Sequence, residues 1–318
     1  MKITKICVTG GAGFIGSNLV KKLLDIGHTI IVVDNLETGR LENIKEFFDN
    51  KNFEFVKASV LDEKMDDVLK GVDYVFHEAA LVDVNESIKN PLKTYQTNIS
   101  GTLRILSSCV KNSVKKIIFA SSCIVYGNHN SGEIPVNEES VTNVQNPYSR
   151  SKLIGETLVS NFFKEHGLKG VILRYFNVYG PKQNMTTEYS AVIPKFISSA
   201  LRNADLPVYG DGEQTRDFVF IEDVTNANIL AMENKSADGK IFNIGVGTSV
   251  SVNGLGKKII ELIGSDSSMI HVEPRPNEIR HSLADITLAK NVLEYAPAHD
   301  IGMGLKKTID WFKTEQCK

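Results

Sequence analysis

Tyr148 and Lys152 stand four residues apart in Tyr148-Ser149-Arg150-Ser151-Lys152. On a helix that spacing puts a phenol and an ammonium on one face. A phenol titrates near pH ~10, too high for a base at neutral pH. Lowering it by about 3 units takes about 4 kcal/mol of differential stabilisation, which two nearby positive charges in a dry site could supply. Alone, such a pair is commonly an ordinary surface pair, so its meaning depends on what surrounds it. Ser121 and Ser122 follow the apolar run Lys116–Ala120, which reads as a strand. A hydroxyl at that strand end could bind the same substrate oxygen as Tyr148; a polar strand cap is the plainer alternative.

Thr9-Gly10-Gly11-Ala12-Gly13-Phe14-Ile15-Gly16 supplies the context. It follows an apolar strand (Lys5–Thr9) and opens a helix expected over Phe14–Ile26. Gly10 permits a turn with positive φ. Gly13 lets backbone approach a pyrophosphate, and Gly16 lets helix and strand pack closely. The helix N-terminus offers N–H groups and partial positive charge to phosphate. A second strand, Thr29–Val33, closes on Asp34, about 20 residues on, where a carboxylate can accept from both ribose hydroxyls of NAD and repel a 2′-phosphate. Arg40 leaves some tolerance of that phosphate open.

The elements that must hold these residues alternate. Further strands are expected at Phe53–Val56, Tyr74–Phe76, Lys116–Ala120 and Gly170–Arg174, with helices over Pro91–Lys111 and Tyr148–Lys164. Apolar strands separated by helices predict an α/β fold with a doubly wound parallel sheet, the Rossmann architecture. After Tyr175 the chain becomes richer in Gly, Pro, Asn and Tyr, which predicts a smaller C-terminal α/β substrate-binding lobe. The expected division is 1–176 for the dinucleotide domain, with 218–244 returning to it, and 177–217 plus 245–318 for the lobe.

Composition narrows the class. The chain has 318 residues, 42% hydrophobic and 23% charged, with a net charge of −2. Nothing in that balance calls for a nucleic acid or an anionic membrane as partner. Cys7, Cys109, Cys123 and Cys317 form no CxxC pair and no zinc-spaced cluster, so four free thiols and no metal are expected. The opening residues lack a signal-peptide pattern, and no apolar run reaches the ~20 residues needed to cross a bilayer. A cytoplasmic protein is the expectation.

Taken together, Gly10–Gly16, Asp34-Asn35-Leu36, His77-Glu78-Ala79-Ala80, Asn98, Ser121-Ser122, Tyr126-Gly127, Tyr148–Lys152, Arg174–Pro181 and Arg216-Asp217-Phe218 resemble the extended short-chain dehydrogenases, and most nearly the UDP-hexose 4-epimerases. The resemblance runs from Ile6 to about Trp311. It implies Tyr148 as base, Lys152 as its modulator and ribose ligand, and Ser122 as hydroxyl partner. It implies NAD contacts from Gly10, Gly13, Phe14, Ile15, Gly16, Asp34, Asn35, Ser59, Val60, Ala79, Ala80, Asn98, Ser121, Tyr148, Lys152 and Tyr175. On the substrate side it implies Ser122, Tyr148, Asn177, Val192, Tyr209, Arg216, Arg275 and Ser282. The two arginines suit a diphosphate, because a guanidinium fork matches paired oxygens, although Arg275 could equally make a surface ion pair. Ser59 departs from the pattern: an acidic residue that binds adenine usually stands there. A homodimer built on the helices Pro91–Lys111 and Tyr148–Lys164 is implied as well.

Reactions within such a family separate by what else reaches the sugar. Dehydratases resemble this chain but carry Asp-Glu where Cys123 and Ile124 stand, and decarboxylases often have Glu in the second place. Neither Cys123 nor Ile124 is an acid–base partner at neutral pH. What remains is oxidation and re-reduction at C4: a UDP-sugar 4-epimerase. Ser282 lies where epimerases restricted to non-acetylated sugars tend to have a bulky Tyr, so the resemblance implies UDP-GlcNAc/UDP-GalNAc as substrates as well as, or instead of, UDP-glucose/UDP-galactose. The alternatives are a UDP-uronate epimerase or another nucleotide-sugar modifier, and a catalytically silent NAD-binding protein. His77 is expected to orient loops, Glu78 receives no role, and Cys123 is as well explained by packing.

Overall fold

β1 (Lys5–Thr9) lies at the middle of the main sheet, between β2 (Thr29–Asp34) and β4 (Tyr74–His77). The computed structural model describes residues 3–128, 134–184, 191–274 and 279–316. β3 (Phe53–Lys57) pairs outside β2. On the other side β5 (Lys116–Ser122), β6 (Lys169–Tyr175) and the strand Ile241–Ile244 follow β4 in turn. All seven strands are parallel.

Strand residues alternate between two buried layers. Ile6, Val8, Ile30, Val32, Ile118 and Leu173 face one layer of apolar side chains. Cys7, Ile31, Val33, Ile117, Phe119 and Ile172 face the other. A sheet covered on both faces needs apolar residues in both phases of the pleat, so its strands read as unbroken apolar runs. The fold is therefore the expected doubly wound α/β sheet. Strand order reverses at β1 and β4, and the C-terminal ends of those two strands border the crevice where such sheets bind ligands.

The helix Pro147–His166 begins at Asn146, whose side chain accepts from Ser149 N while the Ser149 hydroxyl answers Asn146 N. Pro147 opens it and Gly167 closes it in the left-handed conformation. These signals fix the rotation that carries Tyr148 and Lys152 inward. The helix expected over Pro91–Lys111 is interrupted: Pro91–Tyr95 and Gly101–Lys111 are α-helical, and Gln96–Ser100 form a π turn. The extra residue of that turn brings Asn98 inward. Asn98 grips the Leu81 backbone through both side-chain atoms (2.8 and 2.9 Å) and donates to Ser151 Oγ at 2.9 Å. A hydrophobic-pattern reading cannot see such a bulge, because it keeps the apolar face nearly continuous.

Beyond Tyr175 the chain makes short pairings. Asn177–Tyr179 runs parallel to Phe218–Phe220, and Leu206–Tyr209 parallel to Met269–Val272, while Thr215–Arg216 is antiparallel to Val250–Ser251. Helices Val192–Leu201, Val252–Ile263 and Ile301–Gln316 cover them. Their core is continuous with the first buried layer, through Tyr179, Phe196, Phe220, Ile259 and Phe312. Asp217 stitches the parts together: its carboxylate accepts from Val246, Gly247 and Ala284 N–H groups, and burial raises it to about pH 6.

Candidate active site

Ser122 ends β5, and the first turn of the helix Pro147–His166 brings Tyr148 near it, close enough for the serine hydroxyl to act on the phenol. Ser122 also accepts from Ile124 N at 3.3 Å, so it caps the strand and faces the phenol at once. One turn further along the helix, Lys152 is buried. Its Nζ donates to the Ala120 carbonyl at 2.7 Å and lies 6.0 Å from the Tyr148 ring centroid. Ser121 turns the other way. Its hydroxyl donates to Glu156 Oε1 at 2.5 Å, and Glu156 in turn holds Arg174 through two bonds of 2.7 and 2.9 Å. Arg174 also donates to Tyr126 OH at 2.8 Å. Sequence reasoning did not single out this buried pair beneath the site; its signal was Glu156, one helical turn past Lys152.

Burial pushes the Tyr148 phenol above the ordinary tyrosine range, and the nearby Ser122 hydroxyl only partly opposes that. The Lys152 ammonium is spent on the Ala120 carbonyl, and burial lowers Lys152 itself to about pH 8. His77 is neutral: burial takes it down to about pH 3, and its two ring nitrogens are matched by Thr9 and Thr102 hydroxyls at 2.7 and 2.9 Å. It ties the end of β4 to β1 and to the helix Gly101–Lys111.

The glycine loop fits a dinucleotide. Gly10 has φ +68°, and a Cβ there would meet the Ala79 backbone at 2.7 Å, so the loop lies hard against the end of β4. Gly13 caps helix α1 (Phe14–Asp25) without a side chain, and no acidic residue occupies the first turn. Those N–H groups therefore face an incoming phosphate without competition. Asp34 closes β2 with its carboxylate oriented by Ala12 N (3.0 Å) and Leu36 N (2.8 Å), while burial raises its pKa. Arg40 turns to Asn184 Oδ1 at 2.7 Å. Asn35 is exposed and accepts from Glu37 N. The Ser59 hydroxyl accepts from Leu61 N, and Val60 packs under Gly101. Ala79 and Ala80 follow β4, and Ala79 N reaches the Thr9 hydroxyl at 3.4 Å. Phe14, Ile15 and Gly16 form the first turn of α1.

A cleft of about 240 Å³ opens among the elements that follow Tyr175. It gathers four of the expected substrate residues, Asn177, Val192, Tyr209 and Arg216. It also contains residues that sequence reasoning missed. Lys195 lies with its Nζ 5.4 Å from the Tyr209 ring centroid. Gln183 and Gln214 each present a buried carbonyl oxygen with no hydrogen-bond partner among the described residues. A buried acceptor without a donor is costly, and two in one cleft mark it for a polar ligand. Ser282 sits apart, in a cavity of about 20 Å³ with Cys123, Tyr126 and Phe176. The Cys123 thiol beside it is pushed up to about pH 12 by burial. Arg275 lies outside the described residues.

Comparison with known proteins places this geometry. Residues 6–245 match the model of the NAD dependent epimerase/dehydratase family. A UDP-N-acetylglucosamine 4-epimerase from Methanobrevibacter ruminantium, solved with UDP-N-acetylmuramic acid, superposes with a TM-score of 0.94 at 37% identity, covering 99% of this chain and 100% of that one. A UDP-glucose 4-epimerase from Thermotoga maritima, solved with UDP-glucose, gives a TM-score of 0.93 at 39% identity, over 98% and 99% of the two chains. A UDP-N-acetyl-alpha-D-glucosaminuronate decarboxylase of Bacillus cytotoxicus is 36% identical, over 96% of this chain and 97% of its own. The bare glycine loop, the oriented Asp34 and the serine–tyrosine–lysine cluster thus belong to an extended short-chain dehydrogenase: the chain is a member of the NAD-dependent epimerase/dehydratase family, with NAD as its cofactor.

Proposed function

We propose that this chain epimerises C4 of a UDP-hexose or UDP-N-acetylhexosamine. The observation that carries the reading is the pairing of Tyr148 with Ser122 at the end of β5, while the adjoining places hold a thiol raised to about pH 12 and the apolar Ile124. Neither neighbour can exchange a proton at C5 or C6, so the acid–base chemistry is confined to one sugar oxygen. Ser122 and Tyr148 bind the 4-hydroxyl, and Tyr148 accepts its proton. The 4-keto sugar then turns about its diphosphate link, held by Arg216 and by Arg275 beyond the described residues, and Tyr148 returns the proton to the oxygen on the other face. NAD, when bound, takes up and gives back the C4 hydride and adds a positive ring charge that favours the phenolate.

In this reading Gly10, Gly13, Gly16, Asp34 and Lys152 hold the cofactor, within 1–176 plus 218–244, and the lobe of 177–217 and 245–318 holds the nucleotide. Gln183 and Gln214 offer acceptors to the base, and Lys195 offers a cation. Proton NMR of the purified protein with UDP-GlcNAc, UDP-glucose and UDP-glucuronic acid, each alone, tests the reading. A C4 epimer in either of the first two supports it. Turnover of UDP-glucuronic acid alone overturns it in favour of a uronate enzyme, and no product from any of the three overturns it in favour of a silent binding protein.

Substrate breadth turns on Ser282. A tyrosine there would fill the small cavity beside Cys123. Ser282→Tyr is expected to cut kcat/KM for UDP-GlcNAc at least tenfold and to leave UDP-glucose within about threefold, because lost pocket volume penalises only the larger substituent. Equal losses on both sugars would count against this assignment.

We also propose a homodimer. Leu92, Leu103 and Val110 are large apolar side chains exposed on the segment 91–111, Leu92 at 67%. Large apolar side chains in water mark an association surface. Leu92→Glu combined with Leu103→Glu should turn a dimer into a monomer by light scattering; an unchanged mass would remove this face from the interface.

A further inference from the structure

We propose that the buried ion pair of Arg174 and Glu156 is a positioning device for Ser122: it grips the chain on both sides of that serine and so fixes where its hydroxyl stands. The inference rests on the role given above to Ser122 and names the residues that set it.

Ser122 lies between two held neighbours. Before it, the Ser121 hydroxyl donates to Glu156 Oε1 at 2.5 Å. After it, a 3₁₀ turn runs over Cys123–Tyr126 and ends on the buried Tyr126 ring. Tyr126 OH accepts from Arg174 Nη1 at 2.8 Å and donates to Asn243 Oδ1 at 2.6 Å. Arg174 and Glu156 meet as a fork, Nε to Oε1 at 2.9 Å and Nη2 to Oε2 at 2.7 Å. One guanidinium–carboxylate pair therefore holds the residue before Ser122 and the end of the turn after it.

Glu156 stands on the helix Pro147–His166, about two turns after Tyr148. Its bond to Ser121 thus sets the end of β5 against the same helix that carries the phenol. The far side of the grip is fixed on backbone. Asn243, on the strand Ile241–Ile244, donates through Nδ2 to the Val136 and Asp285 carbonyls at 3.0 and 3.2 Å, and its N–H donates to Glu138 Oε1 at 2.7 Å. The bond that Ser122 Oγ accepts from Ile124 N, at 3.3 Å, lies inside the turn and cannot place that turn against the helix. Stability is a weak reason for an ion pair here, because apolar residues of the same volume often serve a buried site as well. A fork adds what apolar packing lacks, a fixed direction as well as a fixed distance.

The test uses Ser121→Ala and Tyr126→Phe. Each removes one oxygen and keeps the buried carbon framework, and Arg174 and Glu156 keep each other, so neither charge is left bare. At saturating NAD each should lower kcat about three- to tenfold and leave KM for the UDP-sugar within about twofold, the pattern of a loss confined to the chemical step. In a Ser122→Ala background the same two changes should cost less than about 1.5-fold more, because the group they position is gone. The same factor in both backgrounds is what a merely structural role gives, and it would overturn the proposal, as would an unchanged kcat in both single variants; either result leaves Ser122 in the epimerase reading. Full turnover in Ser122→Ala alone would remove Ser122 from that reading and this proposal with it. A second measurement needs no turnover. Crystal structures of the parent and of the Ser121→Ala, Tyr126→Phe double variant should show Ser122 in one rotamer in the first and in several, or displaced from Tyr148, in the second. One unmoved rotamer in both would overturn the proposal whatever sugar the enzyme takes.

Discussion

Tyr148→Phe is expected to reduce kcat by about 10²–10⁴-fold, the range that a positioned acid–base group contributes, with KM changed by less than about threefold. The reason is local. The substitution removes one oxygen, which lies near Ser122, and leaves the ring buried against the same neighbours. A single neutral hydrogen bond contributes only about 1 kcal/mol to stability, so the variant should fold, bind NAD and melt within a few degrees of the parent. The deficit would therefore sit in the chemical step. A stopped-flow trace should show the transient reduction of bound NAD on addition of UDP-sugar in the parent and none in the variant. Retention of more than about a tenth of turnover would remove Tyr148 from its role, and with it the proposed mechanism. Because burial already pushes this phenol upward, the parent should also gain activity as pH rises from acid, until loss of the Lys152 charge near pH 8 reverses the trend.

Gly16→Val should abolish NAD binding, raising Kd at least about a hundredfold. A Cβ on Gly16 would overlap the Gly10 carbonyl oxygen and lie 2.8 Å from Gly11 Cα. Both obstacles are backbone atoms of the phosphate loop, so no side chain can rotate away. Either α1 withdraws from β1 or the loop opens, and each moves the helix N-terminus off the pyrophosphate position. Overpacking of this kind costs about 1–3 kcal/mol of stability, and the loss of NAD should exceed it in effect. Gly27→Ala is the control. Gly27 has φ +92° and nothing within 4 Å of the added Cβ, so the substitution should cost only backbone strain of about 1–2 kcal/mol and leave the affinity for NAD intact. Calorimetric titration of both proteins with NAD measures the contrast. Comparable affinities for parent and Gly16→Val would mean that the loop does not cradle the phosphates.

Why some residues were legible and others not follows from the range of the interactions that fix them. The glycine loop, Asp34 and the Tyr148–Lys152 pair are set by neighbours within a turn or a strand end, and the local pattern carries that information. Asn98 is different: its purpose is to hold Leu81 and Ser151, both distant in sequence, and it reaches them only because a π turn rotates it inward. Ser121 and Ser122 look alike on the page, yet the pleat sends one hydroxyl to Glu156 and aims the other at Tyr148. Lys195, Gln183 and Gln214 carry no motif of their own. They become a ligand cleft only when the helix Val192–Leu201, the loop after Tyr179 and the strand at Tyr209 converge.

By itself the sequence determined the doubly wound sheet, the cofactor loop and the two residues to which we assign the chemistry, because unbroken apolar strands, bare glycines and helical spacing act at short range. Tertiary structure alone decided the electrostatics. Burial is a property of the whole packed chain, and it places Tyr148 high, Lys152 near pH 8 and Glu78 near pH 7. No residue type or spacing announces how much water a side chain will lose, and that loss sets which of these groups carries charge at neutral pH.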